Sequence, residues 1–522
     1  MKAHRGWLPI ALFVLLIGGA IGLGVHLLTG SDETSDATSF DGKRIAEIAA
    51  AGGAGDPLAF DPSRRADFER RATLGYSHVL YEKSPGGILA SAKRTAHWRG
   101  LIERAAAAHD TDPDLMEAMV LLESAGRPEV IAGDDPEVAS GLAQIVASTG
   151  IDLLGMDIDL PRSQALTKGI ARTGREIAKE QLKAASTKPK VRTPALLKLR
   201  MLSRRELALA KLRRRIDERF QPAAALDGMG TYLELAERRF GGAELATVSY
   251  HMGIGNLETA IGRYLETDAA GGKAAALVAA NDLDYPRLFF DSSPLSHDRA
   301  WSLLSSLGDD SSTYLWRVLA AERIMALYRN DPGELRRLAR LQTAKSTQEE
   351  VFHPESQTDV FADPDAIQSA LDDGALVPLP TGTDVGYRID KGMGQLAPNF
   401  GADQSLYRAL RPEALATLIY MCAKVREING GHGSLTVTST VRDQGYQDQL
   451  VGINPEATSA YSLHTTGYSF DILRDYSGDS QAEAFQFVLD RLRALNVIDY
   501  AIEPDVIHIT VSDEAEPLLA AG

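Results

Sequence analysis

The sequence contains very little cysteine: Cys422 is the single one among 522 residues. One cysteine cannot form a disulfide framework within the chain, nor can it supply a cysteine-based metal site. An excess of positive charge is also missing, because the formal net charge is −16. Such a balance argues against general electrostatic attraction to nucleic acid. Stability therefore has to come from packed cores, which a composition of 44% hydrophobic residues can supply.

The length of the chain exceeds that of one ordinary domain, so two or three are expected. Residues 63–340 show the 3–4 spacing of apolar positions that is typical of helices. Residues 341–384 follow as an acidic, proline-containing linker, with a short helix predicted at 366–371. Residues 385–522 combine helical segments with short β-rich runs, which indicates an α+β domain. The sequence therefore predicts a multidomain protein.

The N-terminal segment is apolar and unlike the rest. Residues 7–29 contain no Asp, Glu, Lys or Arg, while Lys2 and Arg5 precede them. A helix of that length reaches about 34 Å, enough to cross a bilayer. Residues 1–30 are therefore predicted to be a cytoplasmic tip and single-pass transmembrane helix, and residues 31–62 a flexible tether. The alternative is a cleaved signal peptide, and both place the remaining chain outside the cytoplasm.

A basic insertion interrupts the helical region at residues 162–219. It contains 18 Lys or Arg and five acidic residues, a local net charge of +13. One interpretation is a solvated helical hairpin with Pro189 and Pro194 at its turn. The other is a surface that contacts anionic wall polymer or lipid head groups.

Glu123 is a candidate general acid. Asp112 and Pro113 form a helix start, as N-cap and first helical residue. Glu123 shares the apolar face of that helix with Met116, Met119 and Val120. Burial there disfavours the charged carboxylate and raises its pKa, as a general acid working near neutral pH requires. The alternative is a glutamate at a frayed helix end that reaches water.

Three segments in order resemble a known family. They are Glu123-Ser124, Gly141-Leu142-Ala143-Gln144 and Val248-Ser249-Tyr250-His251. They are similar to the Glu-Ser, Gly-Leu-Met-Gln and Ala-Tyr-Asn-Ala-Gly segments of soluble lytic transglycosylases, which share the goose-type lysozyme fold. The resemblance spans about Trp98 to Arg329, and it implies an all-α, lysozyme-like domain.

The resemblance implies that Glu123 is the only catalytic carboxylate. It would protonate the oxygen between N-acetylmuramic acid and N-acetylglucosamine, and then deprotonate the muramyl 6-hydroxyl to close a 1,6-anhydro ring. Ser124, Gln144 and Tyr250 would bind the saccharide. No cofactor is implied for this reaction. Two positions depart from the family pattern, where Ala143 replaces methionine and His251 replaces asparagine.

The α+β region contains a candidate zinc site. His464, Asp471 and His508 supply three ligands and leave a fourth position for water, as catalytic zinc requires. The stretch from Ser462 to Asp471 resembles the Ser-x-His-x-x-Gly-x-Ala-x-Asp motif of the D-alanyl-D-alanine carboxypeptidase family of zinc peptidases. Ser469 stands in place of the alanine.

This second resemblance covers roughly Pro412 to Val511. It implies that Arg442 binds a carboxylate or carbonyl group of the substrate. The family's catalytic glutamate usually lies three residues before the last histidine, where this chain has Asp505. Glu503 is the preferred base because its longer side chain can reach across the Glu-Pro turn, and Asp505 remains the alternative.

Together these features predict a bifunctional, membrane-anchored enzyme that degrades peptidoglycan outside the cytoplasm. Its substrates would be the glycan strands and the stem peptides, with Zn²⁺ needed for the peptidase part alone. Other cell-wall proteins are further candidate partners, and nucleic acid is not expected. The alternatives are a wall-binding scaffold with degenerate catalytic domains, and a muramidase that hydrolyses the same glycosidic bond.

Overall fold

The computed structural model describes residues 41–51, 55–308, 310–381, 386–453 and 460–521. The predicted membrane anchor lies outside them, as does the first part of the predicted tether. Within these ranges, no helix has both the length and the apolar character needed to cross a membrane. From Asp41 onward the chain forms one compact unit, mostly helical, with a small mixed sheet in its C-terminal part.

The described chain up to residue 342 is mainly helical. Its helices are α1 (Gly42–Ala51), α2 (Arg65–Gly75), α3 (His78–Lys83), α4 (Ile88–Ala96), α5 (Arg99–Ala108), α6 (Pro113–Ser124), α7 (Leu160–Ala184), α8 (Pro189–Arg214), α9 (Pro222–Phe240), α10 (Ala243–Met252), α11 (Ile254–Tyr264), α12 (Ala274–Asn281), α13 (Tyr285–Asp291), α14 (Asp298–Ser306), α15 (Tyr314–Asn330) and α16 (Pro332–Gln342). The predicted start of α6 is confirmed, because Asp112 accepts a hydrogen bond from the Asp114 amide over 2.8 Å and Pro113 is the first helical residue.

Helix α6 lies in the core of this helical region, packed against α15. Its residues Met116, Met119 and Val120 are fully buried. The carboxylate of Glu117 is buried as well, and it pairs with Arg99 and Arg329. A buried charge is tolerated only when it is paired, so these contacts fix α6 against its neighbours. The end of α6, with Glu123, is thereby held in place.

The basic insertion forms a hairpin of two long helices, α7 and α8. Pro189 is the first residue of α8, as a turn between two helices predicts. The sequence predicted Pro194 in the turn as well, and that prediction is wrong, because Pro194 lies inside α8. Pro194 is the sixth residue of α8, so it has no amide hydrogen to donate to the carbonyl oxygen of Lys190, and its ring crowds that carbonyl group.

Residues 341–381, the described part of the segment predicted as an acidic linker, contain regular structure. They include α17 (Glu349–Phe352), α18 (Pro364–Asp372) and β1 (Val377–Pro378). The short helix predicted at 366–371 lies within α18 and is confirmed. The backbone amide of Phe361 donates to the carbonyl oxygen of Thr465 over 2.7 Å, so the segment is joined to the C-terminal region.

The C-terminal region is built on a five-stranded sheet. In spatial order its strands are β2 (Tyr387–Ile389), β4 (Leu435–Ser439), β5 (Ser469–Leu473), β7 (Val506–Val511) and β6 (Ile498–Ile502). Strands β2 and β4 are parallel and the other pairs antiparallel. The three strands predicted near 435–439, 468–473 and 506–511 are confirmed as β4, β5 and β7. The other elements of this region are β3 (Ala409–Leu410), α19 (Pro412–Ile428), α20 (Gln444–Val451), α21 (Asp479–Ala494) and α22 (Glu516–Ala521). Strand β3 pairs with β1.

The register between β5 and β7 brings two predicted metal ligands together. Asp471 lies directly opposite His508 on the neighbouring antiparallel strand. Residues directly opposite in such a pair project their side chains to the same face, with Cβ atoms about 4.5–5.5 Å apart. The sheet therefore sets the distance between these two side chains.

Candidate functional site

The carboxyl group of Glu123 lies beside a tyrosine from a distant helix. The hydroxyl of Tyr314, at the start of α15, donates to Oε1 of Glu123 over 2.6 Å. Burial raises the pKa of Glu123 to about 7, and the hydrogen bond from Tyr314 opposes part of that rise. The side chain is still partly exposed. Glu123 can therefore exchange a proton with a ligand near neutral pH.

Tyr250, in α10, lies close to the same carboxyl group. Burial raises the pKa of Tyr250 well above its usual range, and the negative charge of Glu123 adds to the effect. The Tyr250 hydroxyl donates to the carbonyl oxygen of Ala143 over 2.7 Å. Its ring meets that of Tyr232 edge-on, with centroids 5.1 Å apart. Tyr250 is thus a neutral, firmly held side chain in the surroundings of Glu123.

His251 departs from the family pattern, and its position gives that departure a structural role. Its ring stacks on Tyr314 with centroids 5.0 Å apart. Its Nδ1 lies 2.9 Å from the hydroxyl oxygen of Ser311. His251 therefore supports the tyrosine that holds Glu123.

Two other predicted substrate-binding residues have their polar groups directed at the backbone. Ser124 is buried, and its hydroxyl donates to the carbonyl oxygen of Val120 over 3.1 Å. The Gln144 amide donates to the carbonyl oxygen of Gly141 over 2.8 Å. Gln144 also has a left-handed backbone, with φ of 50°. Both residues therefore stabilise the local chain, and Gln144 keeps a partly exposed side chain.

The second cluster consists of His464, Asp471 and His508, whose candidate ligand atoms all lie within 4.8 Å of one another. Oδ1 of Asp471 is 3.2 Å from Nε2 of His464 and 2.9 Å from Nδ1 of His508. Two ligand atoms of a tetrahedral zinc ion, each about 2.0–2.1 Å from it, lie about 3.3 Å apart. The two oxygen–nitrogen distances are close to that value, and two imidazole nitrogens with one carboxylate oxygen are ligand types that zinc accepts.

The other nitrogen of each histidine faces an acceptor. Nδ1 of His464 lies 2.8 Å from the carbonyl oxygen of Thr440. Nε2 of His508 lies 3.2 Å from Oε2 of Glu349. When these outer nitrogens donate, the inner ones, Nε2 of His464 and Nδ1 of His508, keep lone pairs for a metal ion. Such outer hydrogen bonds set the tautomer of metal-binding histidines.

Glu349 is a residue that the sequence did not reveal. It lies in α17, inside the segment predicted as a linker, and it is buried. Lys345 donates to its Oε1, and the Thr510 hydroxyl donates to its Oε2 over 3.2 Å. Because Glu349 and His508 are separated by 159 residues, no motif spacing could have joined them.

The two histidines differ in charge because their surroundings differ. Burial lowers the pKa of His464 to about 4, and the positive charge of Arg442 adds to the effect. Burial alone would also lower the pKa of His508, but hydrogen bonds to Asp471 and Glu349 outweigh it and raise the pKa to about 10. A metal ion bound here would have to displace a proton from His508, so its affinity would rise as pH approaches 10.

The cluster lies in a cavity of about 710 Å³. Glu503 and Arg442 line this cavity, whereas Asp505 is exposed on the β6–β7 turn. The guanidinium of Arg442 donates to Oγ of Ser439 over 2.7 Å and to Oδ2 of Asp471 over 3.3 Å. Residues 344–347, 349 and 350 form part of the wall, so the cavity extends beyond the predicted domain of residues 385–522.

Replacing Tyr314 with phenylalanine is expected to raise the pKa of Glu123 further above about 7. The variant loses the hydrogen bond that favours the charged carboxylate. The measurement is a ¹³C NMR titration of labelled glutamate carboxyl carbons, with the Glu123 signal identified by its loss in Glu123→Gln. Tyr232→Phe is the matched control, since its hydroxyl donates to the carbonyl oxygen of Ser249. An unchanged or lowered pKa in Tyr314→Phe would contradict the assignment.

Comparison with known proteins adds no family to these observations. No protein-family model matches the chain. A search of curated proteins also finds no match.

Proposed function

We propose that the chain is a bifunctional peptidoglycan-degrading enzyme that combines a zinc peptidase with a lytic transglycosylase. The observation that carries the proposal is the convergence of His464, Asp471 and His508 in one cavity with Glu503 and Arg442. This set contains three metal ligands, a base and a cation for the substrate. Each of these residue roles was also implied by the resemblance to the D-alanyl-D-alanine carboxypeptidase family.

In the peptidase part, a zinc ion held by His464, Asp471 and His508 would polarise the scissile carbonyl and lower the pKa of a water molecule. Glu503 accepts the proton of that water and delivers it to the leaving amine. Arg442, held by Ser439 and Asp471, orients a carboxylate or carbonyl oxygen of the stem peptide. Glu349 acts through His508, whose Nε2 lies 3.2 Å from its Oε2. It orients the His508 ring and increases the basicity of its Nδ1.

In the transglycosylase part, Glu123 performs both proton transfers. It first protonates the oxygen that bridges N-acetylmuramic acid and N-acetylglucosamine. It then accepts the proton of the muramyl 6-hydroxyl, whose oxygen closes the 1,6-anhydro ring. A pKa of about 7 supports this cycle, because both protonation states are accessible near neutral pH.

The two activities suit one polymer, because peptidoglycan contains both glycan strands and stem peptides. Peptidoglycan lies outside the cytoplasm, and the predicted N-terminal membrane anchor would place the rest of the chain on the same side. We therefore propose that both sites act on the outer side of the cell membrane. A reporter fused after residue 60 and active only outside the cytoplasm would support this location.

Glu123→Gln is expected to abolish the release of 1,6-anhydro-muropeptides from purified peptidoglycan. Glutamine keeps the shape of the side chain but can neither donate nor recover the proton. Products are identified by mass spectrometry, and wild-type release should fall as pH rises through about 7 because the acid form is lost. The control is Glu322→Gln, which removes another carboxyl group whose pKa is raised by burial. Reducing-end products from the wild type would favour a muramidase, and near-normal cleavage by Glu123→Gln would refute its role.

Glu503→Ala is expected to keep zinc and to lose peptidase activity. Its side chain lines the cavity without belonging to the ligand cluster. The readouts are bound zinc per chain by elemental analysis and cleavage of isolated muropeptides. Asp505→Ala, two residues away and exposed, should retain both properties. A full-length chain that neither retains zinc nor gains peptidase activity when zinc is supplied would instead support a wall-binding module.

Glu349→Gln is expected to weaken zinc binding by about 10–100-fold, the usual effect of losing an outer partner of a metal-binding histidine. Zinc affinity is measured on the full-length chain by competition with a chromogenic chelator. The matched control is Glu350→Gln, which changes the next residue, whose carboxylate pairs with Lys345. Equal zinc affinities for the wild type and Glu349→Gln would show that this carboxylate does not support the site.

A further inference from the structure

The hairpin of α7 and α8 exposes large apolar side chains. Met201 and Leu207 are 65% and 70% exposed, and Leu182 is 80% exposed. Of the 14 exposed large hydrophobic residues in the described chain, six lie on this hairpin. They are Leu182, Val191, Leu196, Leu197, Met201 and Leu207. Scattered single residues of this kind need no explanation, whereas a concentration on one element indicates an interaction surface.

These side chains are not the hairpin's own core. The buried residues of α8 are Ala195, Leu202 and Arg213. At 100° per residue, Leu197 lies on the side of α8 opposite to Ala195 and Leu202. Met201 lies about 40° from Leu197 and about 100–120° from those two buried residues. Helix α8 therefore has one face that packs and a second apolar face that is turned to solvent.

The exposed apolar face is also basic. Lys190, Arg204 and Lys211 lie within about 40° of Leu197 around the axis of α8, and Arg205 is near its edge. All four are exposed. At a membrane interface, apolar side chains enter the acyl boundary, while the long side chains of Lys and Arg beside them reach the anionic head groups. We call this surface, formed by Lys190, Leu197, Met201, Arg204, Arg205, Leu207 and Lys211, the outer face of α8.

The base of the hairpin is firmly attached to the loop that carries Gln144. Arg219, just after α8, is fully buried with Asp217, and their side chains form an ion pair of 2.8 Å. The guanidinium of Arg219 also donates to the carbonyl oxygen of Ile145 over 3.2 Å. A ligand bound to the hairpin is therefore rigidly connected to the loop that carries Gln144.

We propose that the outer face of α8 binds an anionic lipid surface. A soluble polyanion would account for the basic side chains but not for the exposed Leu197, Met201 and Leu207. A second copy of the chain would cover the apolar side chains but bring like charges together. Anionic lipid head groups can pair with the basic side chains, while the acyl boundary accepts the apolar ones. This inference goes beyond the proposed function, and it requires neither zinc nor glycan cleavage.

The experiment places an environment-sensitive fluorophore on the outer face in the full-length chain. Met201→Cys provides the attachment site, and selective labelling is expected because the only native cysteine, Cys422, is buried. The probes are vesicles of phosphatidylcholine alone or with phosphatidylglycerol. A blue shift with the anionic vesicles only, reversed by high salt, is the expected result. A label at Ser302→Cys, on exposed α14, should not respond.

The charge contribution is tested in the labelled chain by adding Arg204→Gln and Arg205→Gln, which should abolish the blue shift. The same shift on both kinds of vesicle, or on neither, would overturn the proposal. A spectral change with dextran sulfate equal to that with anionic vesicles would assign the face to soluble polyanions. A change that depends on protein concentration without vesicles would assign it to a second copy of the chain.

Discussion

The carboxylate of Asp471 is the charge on which the C-terminal site depends. It is buried, and a buried charge is stable only when it is matched. The imidazoles of His464 and His508 and the guanidinium of Arg442 provide that match. Burial alone would raise the pKa of Asp471, but the two histidines hold it well below its usual range. The contacts that stabilise the charge of Asp471 also bring it together with the two histidines. The same arrangement therefore serves the stability of the region and forms the candidate metal site.

Glu123 shows the opposite use of burial. Its nearest polar partner is the neutral hydroxyl of Tyr314, and burial therefore raises its pKa to about 7. Asp471 is kept charged by its cationic neighbours, whereas Glu123 is kept near its titration point. Two carboxyl groups in one chain are thus suited to different tasks, one to hold a cation and one to move a proton.

The helical region and the sheet region are physically continuous. The guanidinium of Arg70 in α2 pairs with Glu514 near the C-terminus, and Arg491 in α21 donates to the backbone carbonyl oxygens of Phe289 and Ser292. The segment between the two regions contributes Glu349 to the candidate metal site. A zinc site formed in this way depends on the connecting segment as well as on the sheet. The proposed peptidase activity is therefore best assayed in the full chain.

Features that depend on neighbouring residues could be predicted from the sequence. It located the start of α6 at Asp112 and Pro113, three strands of the sheet and the hairpin of α7 and α8, because caps and periodicity are local signals. Contacts between distant side chains became visible only in the folded chain. Tyr314 is 191 residues from Glu123, and Glu349 is 159 residues from His508. Such contacts arise from helix packing and strand register, which combine side chains that no spacing along the chain relates.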